Sequence, residues 1–237
     1  MLFTTSVPSL LLLSSGNKGK LLRPIYLVSK TSHHETAGVI HIPILSIHFL
    51  TPLINFDDYD GIIVTSKQGA LALKHYSPDW GKLQVICVGE ATAKIMGDLG
   101  AKHIDCADGY GMSIFNVLRQ YRGKWLYCRP KTIASSWPSR AREAGLIIDE
   151  VIVYETTCNE AMAKIEIADN SVLIFTSPSS IECFLQKYLI KPTHDIVVIG
   201  KTTQKALPLG VKSIISETTS VESCVEIGLK LASRDAF

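Results

Sequence analysis

The chain has no pair of cysteines at C-x-x-C spacing, no run of basic residues, and no apolar stretch near the ~20 residues that a membrane-spanning helix needs. Each absence removes a class. Without close pairs, Cys87, Cys106, Cys128, Cys158, Cys183 and Cys224 read as reduced, buried thiols of a cytoplasmic protein. A formal charge of +2 and a pI near 8.2 are too mild for a nucleic-acid footprint, and no aromatic stripe is interleaved with basic residues. Residues 1–20 hold one short apolar run, at 10–13, with no positive charge before it, so residues 1–22 read as a disordered extension or a misassigned start rather than a secretory signal. The adjacent His33 and His34 have only Glu35 at a helpful spacing, which favours a solvated loop and no metal site.

What is present is 46% hydrophobic residues in 237, enough for a real core in one or two domains. The organising stretch is 172–180, VLIFTSPSS, because residues 62–70, IIVTSKQGA, have the same form. Thr65 and Thr176 are 111 positions apart, as are Ser66 and Ser177. In each copy a β-branched apolar run ends in Thr-Ser and passes into helix-like spacing, with Ile181, Phe184, Leu185 and Tyr188 apolar or aromatic in the second. The expectation is a strand, a tight turn and a helix N-terminus. Converging N–H groups, the positive end of the helix dipole and a capping hydroxyl can hold an anion there. The plainer reading is an ordinary turn with a capping serine. A repeated copy favours the ligand, because two such turns could face one another across a cleft.

The echo continues. QVICVG at 84–89 matches IVVIG at 196–200, with Gly89 and Gly200 again 111 apart. Each leads into a helix, the first ending at Gly100, while Pro208 predicts that the second, begun by Lys201, Thr202 and Thr203, is short or kinked before Gly210. Residues 39–50 alternate as a strand that Pro43 marks as a linker or edge, and its expected partner is 150–156, with Pro43 and Tyr154 at the same offset. A strand at 25–29 is echoed at 124–129, where Pro130 stops it before a helix over 134–144 ending at Gly145. Closing helices are expected after Ser113 and Ser220.

Alternating strands and helices argue for an α/β architecture with parallel sheet, whose ligands sit at the strand ends. Thr65, Ser66, Gly89, Glu90, Ser177, Ser179, Gly200, Thr202 and Thr203 fall there, and the cleft between two domains is the default site. No nucleophile with a paired base is evident.

FTSPSS, VIGKTTQKA and a linker strand carrying VYET together resemble the uroporphyrinogen-III synthase family, over about residues 23–231. The resemblance implies two flavodoxin-like parallel-sheet domains joined by a two-stranded β-ladder, one inserted in the other. Residues 23–38 with 157–237 would form the outer domain, 39–52 and 149–156 the linker strands, and 53–148 the inserted domain. The implied reaction is cyclisation of hydroxymethylbilane to uroporphyrinogen III, with loss of water and inversion of the last ring. An azafulvene and a spiro intermediate carry it, and no metal or organic cofactor is needed. The protein's task would be to position a flexible tetrapyrrole. Its carboxylates would be held at Thr65, Ser66, Ser177, Ser179, Thr202 and Thr203, with Glu90 at the same strand ends. Tyr154 matches the family's linker tyrosine and is a candidate proton donor; the alternative is an aromatic packed on the linker. Lys67 and Arg129 are candidate propionate partners or solvated charges. Val28-Ser29-Lys30 stands where the family carries Thr-Arg-Pro. The resemblance further implies a cytoplasmic monomer, with neighbouring pathway enzymes as possible partners and neither nucleic acid nor membrane. The rivals are a non-catalytic two-domain binding protein or sensor for a small polycarboxylate, and a degenerate synthase domain kept for its interactions.

Overall fold

A computed structural model describes residues 23–30, 36–76, 78–108, 111–133 and 135–233. Residues 1–22 and the His33–His34 pair lie outside the described residues. The chain runs through β1 (Ile25–Lys30) and β2 (Val39–Phe49) into β3 (Gly61–Val64), α1 (Lys67–Leu73), β4 (Gln84–Val88), α2 (Glu90–Asp98), β5 (His103–Ala107) and α3 (Gly111–Leu118). It continues with β6 (Lys124–Pro130), α4 (Trp137–Glu143), β7 (Ile147–Cys158), β8 (Val172–Phe175), α5 (Pro178–Lys187), β9 (Asp195–Val198), α6 (Lys201–Gln204), β10 (Ile214–Ile215) and α7 (Val221–Ala232). The architecture is mixed α/β with mostly parallel pairing, and the chain divides into two compact units, Leu45–Cys158 and Met1–Ile44 with Asn159–Phe237.

In the unit 45–158 the strand order is β5-β4-β3-β6-β7, all parallel. The end of β2 adds an antiparallel rung set to β7, from Leu45 opposite Cys158 to Phe49 opposite Tyr154. All four residues of β3 are buried because both faces are covered, as parallel strands require. Ile62, Val64, Leu126 and Cys128 pack with Ala70, Leu73 and Met96 on one face. The alternate residues Ile63, Trp125 and Tyr127 pack with Leu118, Trp137 and Ala141 on the other. Gly61 is required where it stands: a Cβ there would collide with the Trp125 ring.

The other unit has the order β10-β9-β8-β1-β2. Ile25, Leu27, Val172 and Ile174 bury against Cys224 and Val225 of α7, while Phe175 meets Phe184 of α5 edge-on at 5.2 Å. Under the repeat, β3, β4 and β5 correspond to β8, β9 and β10, and β6 and β7 to β1 and β2, with β1 and β6 offset by 127 − 27 = 100 rather than 111. The two strand orders then agree term by term.

Some local expectations are corrected. The strand expected at 150–156 is longer, because β7 pairs β6 from Ile147 and β2 up to Cys158. The helix expected from 134 begins at Trp137, where Pro138 occupies the first turn, and α3 begins at Gly111, ahead of Ser113. Of the six expected buried thiols, Cys87, Cys128 and Cys224 are buried and free, Cys106 is free but exposed, and Cys158 and Cys183 are disulfide-bonded. Among the described residues no helix is long and apolar enough to cross a membrane, and no group of three or more potential metal ligands gathers.

Candidate functional site

In the unit 45–158, β3 ends at Val64, and Thr65 and Ser66 form the turn into α1. Ser66 has the extended backbone of an N-cap, and its Oγ accepts from the Gly69 N–H at 3.0 Å. The same Oγ lies 2.9 Å from the Tyr154 hydroxyl on β7. One residue earlier, Thr65 Oγ1 lies 3.0 Å from the hydroxyl of Tyr127 on β6. Two neighbouring hydroxyls at one strand end are thus each gripped by a phenol. Both rings are buried, Tyr127 against Trp137 at 4.9 Å and Tyr154 among the residues packed on α1. Burial pushes the Tyr154 phenol above the ordinary tyrosine range, while the Ser66 hydrogen bond pulls it back. Tyr127 is raised by burial against the opposing pull of Thr65. Both phenols are therefore protonated at neutral pH and able to donate.

Lys67, the first residue of α1, and Glu90, the first of α2, are exposed. Arg129 is committed elsewhere. Its Nε lies 2.5 Å from Glu150 Oε2, an ion pair whose angle falls outside hydrogen-bond geometry, and its Nη1 donates to the carbonyls of Pro130 and Lys131. Arg142 pairs with the same Glu150.

The second unit carries a matching turn. Ser177 caps α5 in a reciprocal box with Ser180, each hydroxyl accepting from the other's N–H at 3.2 Å. Ser179 sits half-buried in the first turn. Gly200 precedes α6, in which Thr202 is exposed and Thr203 is buried. The structure thus brings Thr65, Ser66, Lys67 and Tyr154 together in one unit and Ser177, Ser179, Thr202 and Thr203 onto adjacent strand ends in the other. Arg129 and Glu90 lie on further strand ends.

The family profile described as "Uroporphyrinogen-III synthase HemD" matches residues 29–226. The chain belongs to the uroporphyrinogen-III synthase family. Membership makes it a cyclising enzyme of tetrapyrrole, and so haem, biosynthesis. Among solved structures, the uroporphyrinogen-III synthetase of Helicobacter pylori is similar over 89% of this chain and 100% of that one, at 24% identity and a TM-score of 0.74. A mutant uroporphyrinogen-III synthase of Thermus thermophilus is similar over 88% and 98%, at 16% identity and a TM-score of 0.57. At these identities the likeness speaks to the fold. No curated sequence matches the chain.

Two features of this synthase-family chain escape a reading of the sequence. One is Tyr127, whose only sequence signal is that it replaces Leu27 of the echoed strand. The other is the pairing of Ser29 Oγ with His41 Nε2 at 2.7 Å, which qualifies the expectation of no hydroxyl paired with a base. Ser29 also donates to the Lys30 carbonyl at 3.1 Å, and burial lowers the His41 pKa. This arrangement holds a strand end rather than activating a nucleophile.

Proposed function

We propose that the chain is a hydro-lyase that closes hydroxymethylbilane into uroporphyrinogen III, with inversion of the last ring. The observation that carries this reading, beside family membership, is the hydrogen-bonded series from the Gly69 N–H to Ser66 Oγ to the Tyr154 hydroxyl. With Ser66 accepting from the backbone and donating to Tyr154, the phenol's own proton is left for the substrate. The C–O bond of the terminal hydroxymethyl group breaks, the hydroxyl leaves as water with that proton, and the ring nitrogen gives up a proton that returns to the phenolate, leaving a neutral azafulvene and a restored Tyr154. The substituted carbon of the last ring then attacks, and the spiro intermediate reopens and recloses inverted. A protonated, half-dry phenol suits the first step and has no part in the later ones, where holding the chain decides the isomer.

On this reading the carboxylates of the substrate are held by Thr65, Ser66 and Lys67 in one unit and by Ser177, Ser179 and Thr202 in the other. Thr203, being buried, supports its turn. Glu90 borders the site without binding carboxylate, and Arg129 shapes it through Glu150. The units act as flavodoxin-like domains, one inserted in the other, in a cytoplasmic monomer that uses no cofactor. The test is to supply freshly made hydroxymethylbilane to the purified chain without metal, oxidise the products and separate the porphyrin isomers. Type III isomer accumulating in proportion to protein supports the proposal. Type I alone, as forms without protein, overturns it in favour of a binding protein.

A further inference from the structure

The Thr-Ser turn occurs in both halves of the repeat, but the phenols do not. At the position of Tyr154 the other half has Pro43, and at that of Tyr127 it has Leu27. The registers make the second equivalence firm: Tyr127 stands opposite Ile63 of β3, and Leu27 opposite Ile174 of β8, with Ile63 and Ile174 the repeat's 111 positions apart. Leu27 is buried in its own core and completes the same layer. The fold is thus built once with leucine at this place, so the hydroxyl of Tyr127 is surplus to packing. A buried hydroxyl costs free energy unless it is partnered, and here it lies 3.0 Å from Thr65 Oγ1 with the Trp137 side chain also engaging it.

We infer that Tyr127 is a positioning residue of the synthase site, donating to Thr65 Oγ1 and so leaving the Thr65 proton free for a carboxylate of the substrate. The inference rests on the proposed synthase reading and adds a residue to it. The direction follows from what else each hydroxyl does: Ser66 Oγ already accepts from the Gly69 N–H and gives its own proton to Tyr154, whereas among the described residues no N–H donor reaches Thr65 Oγ1, which takes the proton of Tyr127, the more acidic of the two hydroxyls. A threonine hydroxyl accepts and donates at once. With its acceptor side taken by Tyr127 it presents its hydrogen, whereas with the phenol removed it rotates freely. The ring of Tyr127 packs against Trp137, a donor only, on the face carrying Ile63 and Trp125, while Tyr154 is packed on the face carrying Ile62 and Val64. The two phenols thereby come to adjacent residues from opposite faces of one sheet, and their roles divide. Tyr154, oriented by Ser66, serves the leaving hydroxyl, and Tyr127, through Thr65, serves binding.

The test is a double-mutant cycle in the full chain with Tyr127→Phe, Thr65→Val and the pair, assayed with hydroxymethylbilane for type III product. Thr65→Ser is added alone and with Tyr127→Phe. Tyr127→Phe keeps the ring and should fold, which circular dichroism and thermal melting check. It should raise KM roughly three- to ten-fold with kcat nearly unchanged. Thr65→Val should do the same, and the pair should be no worse than Thr65→Val alone. Thr65→Ser should retain the wild-type KM with Tyr127 present and lose it with Tyr127→Phe. Additive losses, or an unchanged KM in folded Tyr127→Phe, overturn the role of Tyr127 while leaving the synthase reading in place. A fall in kcat at constant KM moves Tyr127 out of binding and likewise overturns it. A wild-type chain that yields only the type I isomer sinks the synthase reading, and this inference with it.

Discussion

Ser66 Oγ stands 2.9 Å from the Tyr154 hydroxyl while capping α1 through the Gly69 N–H, so one oxygen joins a helix end to a buried phenol. The linkage ties the orientation of the Tyr154 phenol to the start of α1. Replacing Tyr154 with Phe removes the terminal donor and leaves the ring in its packing. Turnover should fall about ten- to a hundred-fold, with product binding nearly intact and thermal stability within a few degrees of wild type. Steady-state kinetics and titration with uroporphyrinogen III check this, and an unchanged kcat would remove Tyr154 from the chemistry.

Acid should weaken the unit that contains β1 and β8. Burial lowers the pKa of both His41 and His194 below the ordinary histidine value. His194 is held neutral: its Nδ1 accepts from the Lys191 N–H at 3.1 Å, while Nε2 faces the Ala168 carbonyl at 3.2 Å. In the window between the lowered folded values and the unfolded value of about 6.5, the unfolded chain binds protons that the folded chain does not, so stability falls as pH falls. Urea unfolding midpoints should drop on going from pH 7.5 to pH 5.5. His194→Gln should flatten part of that slope, and a midpoint independent of pH would contradict the assignment.

The free thiols should separate cleanly by reactivity. Burial pushes Cys87 and Cys128 each up to about 12, whereas Cys106 is exposed. The thiolate is the reacting form, so a brief pulse of maleimide at pH 7 should label Cys106 first and leave Cys87 and Cys128 untouched until denaturant is added. Peptide mapping by mass spectrometry reads the order, and early labelling of Cys128 would mean that this face of the sheet opens readily.

Gly61→Ala tests the packing beneath the site. Its added methyl group meets the rigid indole of Trp125, which is itself buried and meets Tyr121 edge-on at 5.4 Å. Overpacking of this kind costs about 1–3 kcal/mol. The expected result is a lower midpoint in chemical unfolding with an unchanged m-value. A neutral outcome would show that Trp125 can shift.

Much of this was legible in the sequence because it is local. The Thr-Ser turns, the glycines at 89 and 200 and the proline that shortens α6 act within a few residues of themselves, and the repeat exposes the turns and the glycines twice. The Tyr154–Ser66 and Tyr127–Thr65 pairs are not local: 88 and 62 residues separate their partners. Tyr127 sits in an apolar strand, where an aromatic residue reads as core, and only the sheet register reveals where its hydroxyl ends. Arg129 misleads for the same reason. A basic residue at a strand end suggests an anion site, yet Glu150 on the neighbouring strand engages it. The ends of β7 could not be read either, since they are set by two different partner strands rather than by the residues within it.

The permuted order of the repeat bears on how the chain is born. β3 to β7 follow one another without interruption, so the unit they build has all its pieces once Cys158 has left the ribosome. β1 emerges before any of them, yet its parallel neighbour is β8, with Ile25 opposite Val172. One edge of that strand must wait, unpaired, through the synthesis of the entire intervening unit, although β2 follows at once and lies along its other edge. Closing so long a loop is slow, and an exposed strand edge is a template for wrong partners. The vulnerable moment of this protein is therefore early in translation, and it lies in the first strand rather than in the turn that carries Tyr154's partner.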